Sequence, residues 1–275
     1  MCGSSRSLPV FRLVMTILGI SGLAAGSGCQ QPTVRGIPVG ELVDLTHPFD
    51  ADTIYWPTAE GFRKTTDFEG LTEAGYWYSA YSFCTAEHGG THLDAPVHFA
   101  QGAPAADQVP LDRLLGQAAV VDVVEQAGRD RDYLIQVADF EAWEQQHGRL
   151  PEGVILLLRT GFSQYWPDRV RYLGTDRRGP EAVAELHFPG LAPDAARWLV
   201  AERSVRAVGI DTASIDYGQS RLFEAHRILF AAEIPVFENV AALDRLPATG
   251  AFVIGLPMKI RGGSGGPLRI IAVLP

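Results

Sequence analysis

Between residues 87 and 99 the chain reads EHGGTHLDAPVHF, which sets His88, His92 and His98 with Asp94 inside eleven positions. The whole sequence has seven histidines, so this one segment holds a large share of them. Imidazoles and carboxylates hold divalent metal ions and carry protons. On an α-helix His88 and His92 would share a face while Asp94 pointed away, and Gly89, Gly90 and Pro96 argue against a helix in any case. In an extended segment all four positions have the same parity. They line one face, and Leu93, Ala95, Val97 and Phe99 line an apolar one. A straight strand would separate His88 from His98 by about 33 Å, too far for one ion to meet both. The segment is therefore predicted to bend, at Gly89-Gly90 and at Pro96, into a curled strand and loop.

This donor set holds nitrogen and oxygen without sulfur. It suits Zn²⁺, Mn²⁺ or Fe²⁺ and disfavours a closed structural zinc site. Three protein ligands leave a position for water, and a metal-bound water ionises near neutral pH. The bland alternative is a set of solvated surface histidines, which fits an isolated pair better than four spaced groups with fixed glycines and a proline.

The elements that must position this segment alternate along the chain. Apolar runs of strand length lie at 41–49, 118–124, 154–160, 206–212, 235–240, 251–260 and 269–274. Helical patterns lie at 137–148, closing on Gly148, at 192–203, with Pro193 and Asp194 in the first turn, and at 222–233. In the last of these Leu222, Ala225, Ile228, Leu229 and Ala232 form one apolar stripe. Strands interleaved with helices predict a single α/β domain over 41–275. The polar stretch 165–182 reads as a lid-like excursion. GGSGG at 262–266 lacks the Lys-Ser/Thr ending of a phosphate loop and reads as a tight turn.

The 275 residues are 47% hydrophobic and 20% charged, an ordinary globular balance, with a formal net charge of −9. No Lys/Arg cluster stands out, which excludes a nucleic-acid footprint. Arg6 and Arg12 precede an apolar run at 13–26 that ends in small residues, the parts of an export signal over 1–28. The run is a poor transmembrane span. G-S-G-C at 26–29 is similar to a bacterial lipoprotein cleavage site, with Cys29 as first mature residue and lipid anchor and 29–40 as a tether. The expected location is the periplasm, free or membrane-anchored. Removing 1–28 leaves 21 basic against 32 acidic residues. Cys2 leaves with the signal, so Cys84 has no disulfide partner and reads as a small buried residue.

HGGTHLDAPVHF (88–99) resembles the signature H-x-G-T-H-x-D-x-P-x-H of the metal-dependent cyclase family, which includes bacterial kynurenine formamidases and isatin hydrolases. DLTHP (44–48), YWP (55–57), FPGL (188–191), GIDTASID (209–216) and MKIRGGSGGPLRIIA (258–272) extend the resemblance over most of 41–275. It implies a swivelling β/β/α fold whose mixed, curled sheet surrounds the site, and a homodimer or larger assembly. It implies Zn²⁺ or Mn²⁺ as one or two ions, held by His88, His92 and Asp94 and by a later His and Glu twelve residues apart. His226 and Glu238 have that spacing. His98 corresponds to the catalytic acid/base, and Trp56 to a stacking surface for the substrate ring, against its reading as a core tryptophan.

The function so implied is hydrolysis of a small aromatic amide by a metal-bound hydroxide, N-formylkynurenine being the family substrate. The rival is ring-opening of a cyclic amide such as isatin. Glu238 favours the first, because isatin-type members place a carboxamide there. Export and the form of the C-terminal tail favour the second. A reading of another class is an exported metal- or ligand-binding protein without catalysis, which would not need His98. His47, in the matched opening motif, reads as a pocket border or a turn residue. His147 and His187 read as solvent-facing.

Overall fold

The computed structural model describes residues 36–274, so the export signal, Cys29 and the start of the tether lie outside the described residues. Twelve strands form. They are β1 (Glu41–Asp44), β2 (Arg63–Leu71), β3 (Trp77–Cys84), β4 (His92–Asp94), β5 (Leu115–Asp122), β6 (Leu134–Ile135), β7 (Ile155–Arg159), β8 (Gly190–Leu191), β9 (Ala207–Ile210), β10 (Val236–Glu238), β11 (Thr249–Pro257) and β12 (Gly265–Leu274). The helices are α1 (Leu111–Leu114), α2 (Val124–Arg129), α3 (Val137–His147), α4 (Arg169–Leu173), α5 (Pro193–Glu202) and α6 (Glu224–Ala231).

Eight strands join in the order β1-β12-β11-β5-β7-β9-β10-β4, and a further pairing of β4 with β12 closes seven of them into a ring. β12 is long enough for both duties: its Gly265–Pro267 stretch pairs with β4, and its Ile271–Leu274 stretch pairs with β1. β5, β7, β9 and β10 run parallel, and the remaining ring pairings are antiparallel. This is a mixed α/β domain with a barrel-like sheet, the class expected.

Strand parity divides the core in two. Ala118, Val120, Ile155, Leu157, Leu93, Phe237 and Val253 fill the interior of the ring. Their neighbours Ala119, Val121, Leu156, Leu158, Val208 and Val236 point outward and are covered by α3, α5 and α6 through Phe140, Leu199, Leu229 and Phe230. The run at 155–158 is apolar throughout because both of its faces are buried, as parallel strands under helices require.

Several elements differ from their sequence patterns. α6 begins at Glu224, so Leu222 lies outside the helix and is exposed. The stretch 165–182 is anchored rather than loose: Tyr172 and Leu173 are buried, and the Tyr172 hydroxyl donates to Asp211 O (3.1 Å) and Asn239 Oδ1 (2.8 Å). Two apolar side chains in a polar stretch suffice for that when they fall on one side of a short helix. The hairpin of β2 and β3 was not foreseen. It pairs only with itself and keeps both faces open, with Leu71, Tyr76, Trp77, Tyr78 and Phe83 exposed. Cys84 ends β3 and is exposed, not buried, because that hairpin has no core beneath it.

Candidate active site

Only His92–Asp94 of the histidine segment is strand. The bends fall at Gly90, in the left-handed region at φ 58, and at Pro96, which opens a 3₁₀ turn through His98. A Cβ on Gly90 would stand 2.6 Å from the Phe49 ring, so the turn needs glycine for space as well as for conformation. Leu93 and Ala95 enter the ring interior as their parity predicts. Phe99 does not: it turns to pack on Phe223 and His226, at ring-centre distances of 5.3 and 4.7 Å.

β4 lies between β10 and β12. Leu93 pairs with Phe237, both pointing inward, and Glu238 sits opposite His92 in the adjacent strand. His92, Asp94 and Glu238 therefore share the outer face of the ring, where α6 brings His226 onto them. The register is what makes Glu238 a neighbour of a residue 146 positions earlier. The sheet thus closes round an apolar core, and the polar cluster stands on its other side.

Two overlapping groups could each hold a cation. His88, His92 and Asp94 form one and Asp94, His226 and Glu238 the other, each with its ligand atoms within 4.8 Å of one another. Asp94 Oδ1 lies 2.5 Å from His88 Nδ1 and 3.0 Å from His92 Nε2. Asp94 Oδ2 and Glu238 Oε1 each lie 3.1 Å from His226 Nε2. Asp94 is the one residue common to both groups. His98 belongs to neither group, although its ring stacks on His88 at 3.9 Å.

The fit of a metal is decided by the far nitrogen of each imidazole. His92 Nδ1 faces Gly90 O at 3.0 Å and His226 Nδ1 faces Asp216 Oδ2 at 2.7 Å. A proton held there leaves Nε2 with a lone pair aimed at the cluster. His92 Nε2 is buried and, despite its 3.0 Å approach to Asp94, makes no hydrogen bond, because the direction is wrong. A buried acceptor without a donor, among nitrogen and oxygen ligands, fits a divalent cation.

Electrostatics agree. Burial pushes the Glu238 carboxyl above its usual range and the charge of Asp94 adds to this. Burial opposes ionisation of Asp94 too, yet the neighbouring His88, His92 and His226 hold it well below the carboxylate range. His226 is held well above the imidazole range: burial pulls it down, and Asp216, Asp94 and Glu238 outweigh that. The carboxylates thus demand positive charge between them, which a dication supplies without protonating the rings.

Above the cluster lies a cavity of about 300 Å³, lined chiefly by apolar atoms. Trp56, Phe99 and Phe223 wall it, and His88, His98 and Glu238 reach it from below. Trp56 packs edge-on against Phe188 and also lines the cavity. His47 is not among the lining residues and stacks on Trp166 at 4.2 Å. His187 pairs with Asp132 at 2.7 Å, and His147 is exposed.

Sequence reasoning assigned no role to Asp216, Phe223 or Ser264. Asp216 accepts from the backbone N–H of Ala225 and of His226, both at 3.1 Å, as well as from the His226 ring. It caps α6 from a distance, where the residue at the cap position, Phe223, sits at φ 47 and offers no side-chain bond. The repeated Asp of GIDTASID was the available signal.

A hydrophobic ring closed under helices, with a cluster of histidines and carboxylates at the floor of an aromatic cavity, has the form of an enzyme active site, and its relatives are hydrolases acting on amide C–N bonds. The family described as "Putative cyclase" matches residues 43–217, and the chain belongs to it. It is 32% identical over 249 residues to an isatin hydrolase of Roseibium aggregatum, covering 86% of this chain and 92% of that one. It is 26% identical to a kynurenine formamidase of Bordetella avium, covering 84% and 96%. Among solved structures, isatin hydrolase A from Ralstonia solanacearum superposes with a TM-score of 0.77 at 31% identity, covering 86% and 92%.

Proposed function

We propose that this chain is a metal-dependent hydrolase of small aromatic amides, and that ring-opening of an isatin-type cyclic amide is its reaction. The observation that carries the reading is the aromatic cavity set directly over Asp94, His226 and Glu238. The 32% identity to an isatin hydrolase favours the cyclic amide over the acyclic one. Hydrolysis of an N-formyl arylamine of the kynurenine type is the second reading, favoured by a carboxylate rather than a carboxamide at Glu238.

His88, His92 and Asp94 would hold one ion, and His226 and Glu238, with Asp94 shared, a second. Zn²⁺ and Mn²⁺ both suit this donor set. When bound, the metal supplies Lewis acidity and an ionised water at neutral pH. Trp56, Phe99 and Phe223 clamp the planar ring and exclude bulk solvent, so the amide carbonyl is presented to the floor of the cavity. Water adds across the C–N bond: its oxygen joins the carbonyl carbon, one proton goes to the departing nitrogen, and the other is released as the new carboxyl ionises. Burial pushes the His98 imidazole down to about 4, so it enters the cycle neutral, and its place on the cavity wall beside His88 is what would let it carry a proton to the departing nitrogen.

Export through 1–28, with or without a lipid at Cys29, belongs to the same proposal. Its support is the basic, apolar and small-residue order of that segment. Assembly into a dimer or larger is supported by the open hairpin of β2 and β3. Mature protein loaded with Zn²⁺ or Mn²⁺ is expected to turn over isatin, followed by absorbance, faster than N-formylkynurenine. The reverse order selects the second reading. Turnover of neither, with metal bound stoichiometrically, leaves a non-catalytic binder.

A further inference from the structure

The glycine-rich turn at 262–266 has no part in the reaction as drawn, yet it reaches the centre. Ser264 Oγ lies 2.8 Å from His88 Nε2. The same hydroxyl and the Ser264 backbone N–H both donate to Glu87 Oε2, at 2.7 and 2.8 Å. The flanking glycines make the approach possible. A Cβ on Gly265 would stand 2.6 Å from His88 Cε1 and 2.4 Å from Leu93 O, and one on Gly263 would stand 2.9 Å from Glu87 Oε1. The turn is pinned to the strand that carries Asp94: Ala95 N–H donates to Ser264 O at 2.9 Å, and Gly265 pairs with Asp94 across the ladder.

The proton directions follow from what each group can do. Glu87 Oε2 accepts from both the Ser264 N–H and the Ser264 hydroxyl, so the hydroxyl hydrogen is committed to it. The Ser264 oxygen then has lone pairs alone to offer His88, whose Nε2 must carry the hydrogen. A hydrogen held on Nε2 frees Nδ1, the atom that faces Asp94 Oδ1, to act as the ligand nitrogen. His88 needs this support more than its neighbours do. Its side chain is 25% exposed, against 3% for His92 and 4% for His226, so packing alone does not fix the ring.

We propose that Ser264, oriented by Glu87, is a positioning residue that holds His88 as the Nε2–H tautomer with Nδ1 toward the metal, and that the two glycines exist to admit it. The proposal rests on the metal-centre reading above. Its test is Co²⁺ affinity of the full-length chain, measured by chelator competition and by the visible absorption of the bound ion. Ser264→Ala is expected to weaken binding about 10–100-fold and to shift the absorption band, with Ser264→Thr recovering both. Glu87→Ala, which frees the hydroxyl to donate to Nε2 and so to drive the ring hydrogen onto Nδ1, is expected to weaken binding as well. It serves as the independent variant should Ser264→Ala not fold. Variants that bind within about twofold of the wild type overturn the brace and leave the centre standing. A loss that Ser264→Thr does not recover, accompanied by a lower Tm of the metal-free protein, also overturns it in favour of a purely structural turn. A wild-type chain that binds no Co²⁺ overturns the centre, and the brace with it.

Discussion

The three histidines of the 88–98 segment differ in what holds them. His88 and His92 each have one ring nitrogen tied to an acceptor and the other turned to Asp94, whereas His98 makes ring contacts, with His88, Phe99 and His226, and belongs to neither ligand group. His98→Ala should therefore retain bound metal and lose about 10²–10⁴-fold in rate. Metal analysis of the purified variant checks this, and loss of the ion would move His98 into the ligand set. His47 makes a prediction of another kind. Its Nε2 is buried without a partner, and burial pushes the imidazole down to about 4. In the unfolded chain it titrates at 6.5. Between those values only the unfolded chain takes up the proton, so the contribution is complete above 6.5 and is lost as pH falls toward 4. The change is about 3 kcal/mol at most. His47→Phe, which keeps an aromatic ring against Trp166, should show a smaller fall in Tm between pH 7 and pH 5 than wild type. Equal falls would remove His47 from the account.

At the scale of elements, acidic residues at strand ends fasten the parts together. Asp211, just past β9, accepts from Thr160 N–H (2.7 Å), the Thr160 hydroxyl (2.6 Å) and Gly161 N–H (2.8 Å), just past β7. Burial raises its pKa, and these three donors pull the other way. Asp211→Ala would leave them unsatisfied in the core and should cost about 3 kcal/mol, read as a lower urea midpoint. Asp216 plays the matching part for α6. Element types were legible because the ring strands are short apolar runs and because α3 and α5 carry apolar residues three or four apart between end signals such as Gly148 and Pro193. The start of α6 was not, because a carboxylate nine residues before Ala225 sets it rather than a local cap. The β2–β3 hairpin was missed for the opposite reason. It has no buried face, so its side chains follow no in–out alternation.

For the whole molecule, the centre joins segments far apart in sequence: β4, β10, α6 and the turn that leads into β12. A cation that binds there and not to the unfolded chain stabilises the fold by mass action. At 100 times its Kd it should add about 2.7 kcal/mol, seen as a higher Tm that EDTA reverses. A Tm indifferent to metal would place the ion elsewhere. The hairpin bears on the assembly proposed above. Seven large side chains from Phe68 to Phe83 are 40 to 71% exposed. Leu71, Trp77, Tyr81 and Phe83 share one face and Phe68 and Tyr78 the other, so at about 200 Å² for each the larger face presents roughly 460 Å², about half of the ~800 Å² each partner contributes to a stable interface. An isolated two-stranded hairpin is also marginal in water. Trp77→Ser with Phe83→Ser should convert the assembled form to monomer by light scattering. A wild-type chain that is already monomeric removes the hairpin from this role.

The sequence by itself determined the alternation of strands and helices, the shared parity of His88, His92, Asp94 and His98, and the places where that segment bends. These are local properties, carried by residue type and spacing within a dozen positions. The pairing of Glu238 with His92, the reach of His226 under its Asp216 cap and the insertion of Ser264 behind His88 were decided only in three dimensions. Each depends on a register or a ring closure between segments more than a hundred residues apart, or on a glycine whose missing Cβ matters only once a neighbour arrives.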